Sequence, residues 1–156
     1  MGVDFRQRWP ITRDYLRAMK ELWTKEEAEF HGQYYNFPLV QSYPKPAQKP
    51  HPPVILGGFA KNVLQRVVSW ADGWLPNRVT PAEVETSRGT LDTLARQAGR
   101  DPAALTISVY GQAPERALCQ RFHDAGATRV IIRPPTASTE PAMAEELERI
   151  AAAVIR

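Results

Sequence analysis

The feature that most constrains the fold begins at Val54, where short apolar runs start to alternate with amphipathic helical segments. Short, continuously apolar strands that alternate with helices indicate a parallel sheet with right-handed crossover connections. Two architectures are compatible with this order, an open doubly wound sheet and part of a (β/α) barrel. A complete barrel needs eight strand–helix units in about 250 residues, so four units would form only half of one. The apolar runs are Val54–Leu56, Gly73–Pro76, Leu105–Tyr110 and Arg129–Arg133.

Local signals predict where the helical segments begin and end. The run Thr80–Glu83 has the sequence of a capping box with proline in the first helical turn, and Gly99 ends the helix that it opens. The last helix is predicted over about residues 140–155. Cys119 falls within an amphipathic segment, which favours a buried small apolar residue over a nucleophile.

The first 53 residues have a different character. The helical spacing of apolar residues predicts an amphipathic helix over residues 12–23. Residues 30–37 carry four aromatic side chains around Gly32, which suggests a short hairpin or an aromatic-rich loop. The five prolines from Pro44 to Pro53 predict an extended segment, because proline fixes φ and restricts the preceding residue. We expect one domain, made of this part, residues 1–53, and four βα units, residues 54–156.

Composition and charge argue against several classes of protein. Lys and Arg number 20 and Asp and Glu number 17, a net charge of +3 without a basic stripe, so no nucleic-acid partner is expected. No apolar run approaches the length of about 18 residues that spans a membrane, and the N-terminus lacks the apolar core of a signal peptide. We therefore expect a cytoplasmic protein with no membrane partner. Because His31, His51 and His123 lie far apart in the sequence, no metal site is predicted.

The loop after the first apolar run is the strongest candidate for a ligand site. In both architectures, ligands bind at the carboxyl ends of the strands. Gly57 and Gly58 directly follow the first strand, and Phe59 and Ala60 lead into a helix. The unpaired N–H groups and the dipole of a helix start favour a phosphate, and Lys61 adds a positive charge nearby. A plain strand-to-helix turn explains the two glycines equally well.

Residues at two other strand ends are weaker candidates for contacts with a substrate. Trp74 lies in the second strand, where filling the core is the alternative interpretation. Asn77 and Arg78 follow that strand, and Arg133 ends the last one. Either arginine could hold an acidic group or be a solvated surface residue. No Ser-His-Asp arrangement and no pair of carboxylates is visible, so the catalytic residues stay unknown.

Several motifs in the same order resemble the luciferase-like monooxygenase superfamily. They are Asp14–Thr24, Phe30–Phe37, Ser42–Pro46, Gln48–Gly58, Ala71–Trp74 and Gly99–Pro102. The ordered set spans about residues 3–110 and is much more specific than any single motif. The subgroup that the chain most resembles contains oxidoreductases that depend on coenzyme F420, a deazaflavin, with users of FMN as close relatives.

The resemblance implies a TIM barrel and a place for the cofactor phosphate. That place is the loop already singled out, Gly57, Gly58, Phe59 and Ala60. The chain resembles only the C-terminal half of family members, so the first four strands, which carry most contacts to the flavin-like ring, have no counterpart in it. We therefore expect a truncated reading frame, a misplaced start codon or a half that needs a partner.

The function that the resemblance implies is that of a flavin- or deazaflavin-dependent oxidoreductase or monooxygenase. Its substrate would be a small molecule, and its cofactor F420 or FMN would carry the redox step while the protein positions and shields it. The alternative is a catalytically inactive half-barrel that folds or oligomerises and at most binds a phosphate-bearing ligand. A homo-oligomer is expected, because a four-stranded half-barrel leaves two unpaired sheet edges.

Overall fold

The computed structural model describes residues 4–155 and divides into two compact units, one ending at Pro53 and one beginning at Val54. The first unit contains a long helix and a two-stranded sheet. The second contains a four-stranded sheet and four α-helices. That the two units form a single domain stays a prediction.

The first unit consists of helix α1, Arg8–Thr24, and an antiparallel hairpin of β1, Glu27–His31, and β2, Asn36–Gln41. A short 3-10 turn, Phe5–Gln7, precedes the helix. The helix begins earlier than the predicted residue 12, because Pro10 lies in its first turn, where a backbone N–H group is not needed. Of the two predicted alternatives for the aromatic segment, the hairpin is correct.

The proline-rich segment after the hairpin bends back towards α1. Bends occur at Pro44 and over residues 47–51, and two of its X–Pro peptide bonds are cis. Lys45 ties the segment to the end of α1, since its Nζ donates to the carbonyl oxygens of Leu22 and Lys25 at 2.8 and 2.5 Å. The predicted extended conformation is therefore wrong for the bent part of this segment.

The sheet of the second unit is parallel, and the spatial order of its strands follows their order in the chain. Its strands are β3, Ile55–Gly57, β4, Gly73–Leu75, β5, Thr106–Gln112, and β6, Arg129–Ile132. The helices that follow them are α2, Val63–Trp70, α3, Pro81–Gln97, α4, Arg116–Asp124, and α5, Glu140–Val154. The four predicted βα units are confirmed. An order without reversal is that of a (β/α) barrel, whereas a doubly wound sheet reverses its order at a switch point.

Helix α3 begins with the predicted capping box. The Thr80 hydroxyl oxygen accepts the N–H of Glu83 at 3.3 Å, and the Glu83 carboxylate accepts the N–H of Thr80 at 2.7 Å. Pro81 occupies the first helical turn, where its fixed φ suits the helix. Thr139 caps α5 in a similar way, by accepting the N–H of Ala142 at 3.4 Å. These local side-chain contacts determine where α3 and α5 begin.

Arg100 stabilises the carboxyl-terminal end of α2. Its Nη1 donates to the carbonyl oxygens of Val67, Val68 and Ala71 at 3.2, 2.8 and 2.8 Å. The last carbonyl groups of a helix lack partners within that helix, so a guanidinium with several donors satisfies them together. Arg100 therefore joins the segment after α3 to the end of α2.

The hydrophobic core lies between the sheet and its helices. Leu56, Trp74 and Ile107 are neighbours across three strands on the face that the helices cover. Phe122 of α4 adds one of the largest fully buried side chains. Tyr110 points to the opposite face, which lines the inside of a closed barrel, and it is 39% exposed. The core thus fixes the strands from one side and leaves their carboxyl ends accessible.

Candidate functional site

The carboxyl ends of the parallel strands lie along one edge of the sheet, and the predicted site residues lie there or beside it. Gly57 ends β3, Asn77 and Arg78 follow β4, and Arg133 follows β6. A parallel bridge pairs Asn77 with Tyr110 beyond the end of β4. Three strand spacings, about 14 Å in all, separate β3 from β6, so Arg133 is the most distant member of the set.

The segment Gly57–Asn62, named here the glycine loop, connects β3 to α2. Gly58 has a φ of +87°, in the region that favours glycine, and its N–H donates to the carbonyl oxygen of Leu75 at 3.3 Å. This hydrogen bond prolongs the contact between β3 and β4 by one residue. The N–H of Gly58 is therefore already used, and the free donors of the loop lie further along the chain.

Four consecutive N–H groups of the glycine loop have no acceptor within residues 4–155: those of Phe59, Ala60, Lys61 and Asn62. The hydrogen bonds of α2 begin only with the N–H of Val63, which donates to the carbonyl oxygen of Ala60 at 2.8 Å. The Asn62 side chain makes no capping hydrogen bond. Such a group of unpaired donors at the start of a helix is suited to binding an anion.

The buried side chain of Trp74 contacts the glycine loop and holds its backbone in place. Its indole Nε1–H donates to the carbonyl oxygen of Gly58 at 2.8 Å, and its ring meets the Phe59 ring edge to face at 5.8 Å and 86°. Trp74 is only 3% exposed, whereas Phe59 is 55% exposed. Trp74 thus fills the core, as the alternative interpretation had it, and also fixes the backbone at the point where the chain turns. A direct contact of Trp74 with a substrate stays a prediction.

The space above the glycine loop is open. A Cβ atom built on Gly58 meets no heavy atom within 4 Å, and one built on Gly57 meets only the carbonyl oxygen of Leu75 at 3.8 Å. Glycine is therefore required at residue 58 by backbone conformation and not by crowding. The open space and the four unpaired N–H groups together fit a phosphate-bearing cofactor.

A cavity of about 550 Å³ adjoins the glycine loop between the starts of α2 and α3. Phe59, Lys61 and Trp74 line it beside the loop, and Thr86 and Thr90 line it on α3. Cavities of several hundred Å³ are typical of ligand sites. A ligand held at the loop therefore has room for groups larger than a phosphate.

The other predicted residues at this edge are exposed. Arg78 has a φ of +52°, which is uncommon for a residue with a side chain. Neither Arg78 nor Arg133 forms an ion pair within the part of the chain that the structure describes. Asn77 is likewise exposed. These polar side chains can reach a ligand at the edge, and their roles stay predictions.

The titratable groups outside this edge have structural explanations. Burial raises the pKa of the Cys119 thiol, which makes the nucleophilic thiolate scarcer at neutral pH, and the residue is half-buried on α4. Hydrogen bonds from the backbone and side chain of Thr80 lower the pKa of Glu83. Residues 4–155 contain no group of three potential metal ligands. Over the same residues, no helix has both the length and the apolar character to cross a membrane.

Comparison with known proteins identifies the family. The model of the luciferase-like monooxygenase family matches residues 1–114. The chain belongs to this family. An uncharacterised protein of Mycobacterium tuberculosis is 35% identical over 157 residues, which cover 97% of this chain and 52% of that protein. The chain of this luciferase-like protein thus spans about half the length of the curated relatives it matches.

Other relatives and solved structures agree with the family and the fold. The FMNH2-dependent dimethylsulfone monooxygenase of Pseudomonas putida is 36% identical over 67 residues, 41% of this chain and 18% of that enzyme. An F420-dependent secondary alcohol dehydrogenase has a TM-score of 0.71 at 13% identity, covering 100% of this chain and 64% of its own. The F420-dependent tetrahydromethanopterin reductase of Methanopyrus kandleri has a TM-score of 0.69 at 13% identity, covering 92% and 62%. The predicted resemblance and the partial barrel are confirmed.

Proposed function

We propose that this chain is the phosphate-holding part of a flavin- or deazaflavin-dependent oxidoreductase, with FMN or coenzyme F420 as the cofactor. The observation that carries the proposal is the run of four unpaired N–H groups in the glycine loop, from Phe59 to Asn62. The relatives support the kind of cofactor, because their names include FMNH2- and F420-dependent enzymes. A small-molecule substrate and a cytoplasmic location are parts of the same proposal.

The residues of this chain would bind and orient the cofactor, which itself supplies the hydride or oxygen chemistry. The N–H groups of the glycine loop would hold its phosphate, with the dipole of α2 adding to the attraction. Trp74 would keep the loop in position through its hydrogen bond to Gly58. Asn77 and Arg78, at the end of the neighbouring strand, would contact the substrate or an acidic group on it. We assign no catalytic residue within this chain.

The glycine loop offers the same donors to FMN and to F420. Both cofactors carry a phosphate, and backbone N–H groups bind a phosphate without contacting the ring system. The cavity of about 550 Å³ beside Phe59 and Trp74 adjoins these donors. The proposal therefore extends to the flavin and deazaflavin cofactors as a class.

Replacing Gly58 with valine tests the proposal. A β-branched residue is strained at a φ of +87°, so the loop shifts and the N–H groups lose their alignment. We expect FMN or F420 to bind at least ten-fold more weakly, a loss of about 1.4 kcal/mol, in titration calorimetry of the folded variant. Lys61→Ala should lose less, because an exposed charge contributes modestly.

Gly99→Val is the matched control. Gly99 has a φ of +68° and open space around its Cβ position, but it lies after α3, outside the glycine loop. The Gly99→Val substitution introduces the same kind of backbone strain at a residue outside the proposed site. Equal losses of affinity in the two valine variants, or unchanged affinity in a folded Gly58→Val protein, would contradict the proposal.

The second candidate function is binding without turnover. Four parallel strands form half of the eight-stranded barrel, and the chain covers 52% of its mycobacterial relative. A half-barrel of this kind would hold a phosphate-bearing ligand but would lack the other walls of a site. Turnover by the purified chain with reduced FMN or F420 distinguishes the candidates: we expect little or none, and robust turnover would rule out the inactive form.

A further inference from the structure

The first unit contains a polar cleft between α1 and the turn of the β1–β2 hairpin. The cavity measures about 220 Å³. Arg13 and Arg17 line it on the helix, one turn apart, and His31 and Gln33 line it on the hairpin. These four residues define what we call the basic cleft. A volume several times that of one water molecule accommodates a small ionic group.

The walls of the basic cleft are held together by Asp14. This residue is 8% exposed, and its Oδ2 accepts the N–H groups of Tyr34 and Tyr35 at 2.8 and 3.1 Å. A Cβ atom on Gly32 would collide with the same carboxylate. The N–H of Gly32 donates to the carbonyl oxygen of Tyr35 at 3.0 Å. The hairpin turn is therefore locked against α1, and the cleft is formed before any ligand arrives.

The two arginines of the basic cleft are not neutralised by an ion pair within the described residues. Arg13 and Arg17 form no ion pair within residues 4–155. Glu21, one turn after Arg17, pairs with Lys25 instead. Two like charges one helical turn apart destabilise a helix, and a bound anion would offset this cost.

One carboxylate, that of Asp14, also lines the cleft. Asp14 already accepts two backbone N–H groups, which compensate part of its charge. Near the cleft, Oε2 of Glu29 lies 3.6 Å from Nε2 of His31, and the Glu29 side chain is exposed. The two guanidinium groups are thus charged donors that remain for a ligand.

We propose that the basic cleft binds a small oxyanion, a phosphate or carboxylate group, through Arg13 and Arg17. The planar guanidinium group offers parallel N–H donors that match the oxygens of both anions. The side chains of His31 and Gln33 close the cleft on the hairpin side. All residues of this site belong to the first unit, whereas the glycine loop belongs to the second.

Titration of the full chain with inorganic phosphate and with succinate tests the proposal. The Gly58→Val variant is titrated beside the unchanged chain, so that phosphate bound at the glycine loop can be distinguished from phosphate bound at the cleft. Amide shifts of Gly32 and Tyr34 in NMR spectra report on the cleft. We expect saturable binding that weakens at least ten-fold in the double variant Arg13→Gln/Arg17→Gln.

A double variant outside the cleft, Arg8→Gln/Lys20→Gln, removes the same charge from the same helix and should change the affinity less than two-fold. Circular dichroism confirms that each variant is folded. Binding of phosphate, succinate or both supports the proposal and distinguishes the two ligand sources. Absence of saturable binding of either anion, or equal losses in the two double variants, overturns it.

Discussion

Replacing Trp74 with phenylalanine tests whether this residue positions the glycine loop. The substitution removes the indole N–H that donates to the carbonyl oxygen of Gly58 at 2.8 Å and keeps an aromatic ring beside Phe59. The hydrogen bond thus ties a buried side chain of β4 to the backbone of the loop. Its removal leaves the Gly58 carbonyl to water and the loop free to move.

The magnitude follows from two contributions. An intramolecular hydrogen bond contributes about 0.5–1.5 kcal/mol net. Trp74 is 3% exposed, so the smaller ring leaves a cavity that costs about 1–2 kcal/mol more. We expect the free energy of unfolding to fall by about 1.5–3.5 kcal/mol. Because the loop must then be ordered during binding, FMN should bind about three- to ten-fold more weakly, or about 0.7–1.4 kcal/mol.

The assay pairs denaturant unfolding with calorimetric titration of FMN. Phe122→Leu is the control, because Phe122 is 1% exposed in α4 and lies outside the glycine loop and its cavity. It should lower the unfolding free energy by a similar amount and leave the FMN affinity within two-fold of the wild type. The reasoning is refuted if Trp74→Phe binds FMN like the wild type, or if Phe122→Leu weakens binding as much.

Three further predictions concern assembly and stability. The edge strands β3 and β6 have unpaired sides within the described residues, so light scattering during size exclusion should show a dimer or larger species, and a stable monomer would contradict this. Arg100→Ala removes the side-chain donor from the carbonyl groups of Val68 and Ala71 at the end of α2, and denaturant unfolding should show a loss of about 2–3 kcal/mol. The pKa of Glu83 is lowered in the folded state, so its stabilising contribution is present above its ordinary value of 4.5 and disappears as the pH falls below it. Acid unfolding of the wild type should therefore be steeper than that of Glu83→Gln, and parallel curves would argue against the assignment.

The strands and helices of the second unit could be predicted because each carries its own local signal. The capping box at Thr80 and the glycine after α3 act within a few residues, so the sequence shows them directly. The order β3 to β6 follows from short connections between parallel strands. The predicted start of α1 is too late, because proline is tolerated in a first helical turn. The predicted extended conformation after Pro44 is wrong for the bent part, where Lys45 donates a hydrogen bond to the end of α1.

Roles that depend on contacts distant in the sequence could not be predicted. The glycine loop was identified from its two glycines, but the use of the Gly58 N–H by Leu75 depends on strand pairing. The indole of Trp74 reaches a carbonyl group 16 residues earlier, and apolar periodicity contains no information about that bond. Arg100 likewise acts on carbonyl groups about thirty residues away, 29–33 in sequence, which only the packing of α2 against α3 brings close.

Under the proposed function, the position of the glycine loop determines which end of the cofactor this chain would hold. A ring at the mouth of a closed barrel contacts the ends of many strands, whereas a phosphate at one helix start contacts that loop alone. Because the sheet supplies four strands and the free N–H groups lie after β3, the affinity of this chain for FMN should come mainly from the phosphate. Riboflavin, which lacks the phosphate, should therefore bind at least ten-fold more weakly than FMN, a difference of about 1.4 kcal/mol, and inorganic phosphate should compete with FMN. Equal affinities for FMN and riboflavin in the same titration would place the binding on the ring and remove the glycine loop from the site.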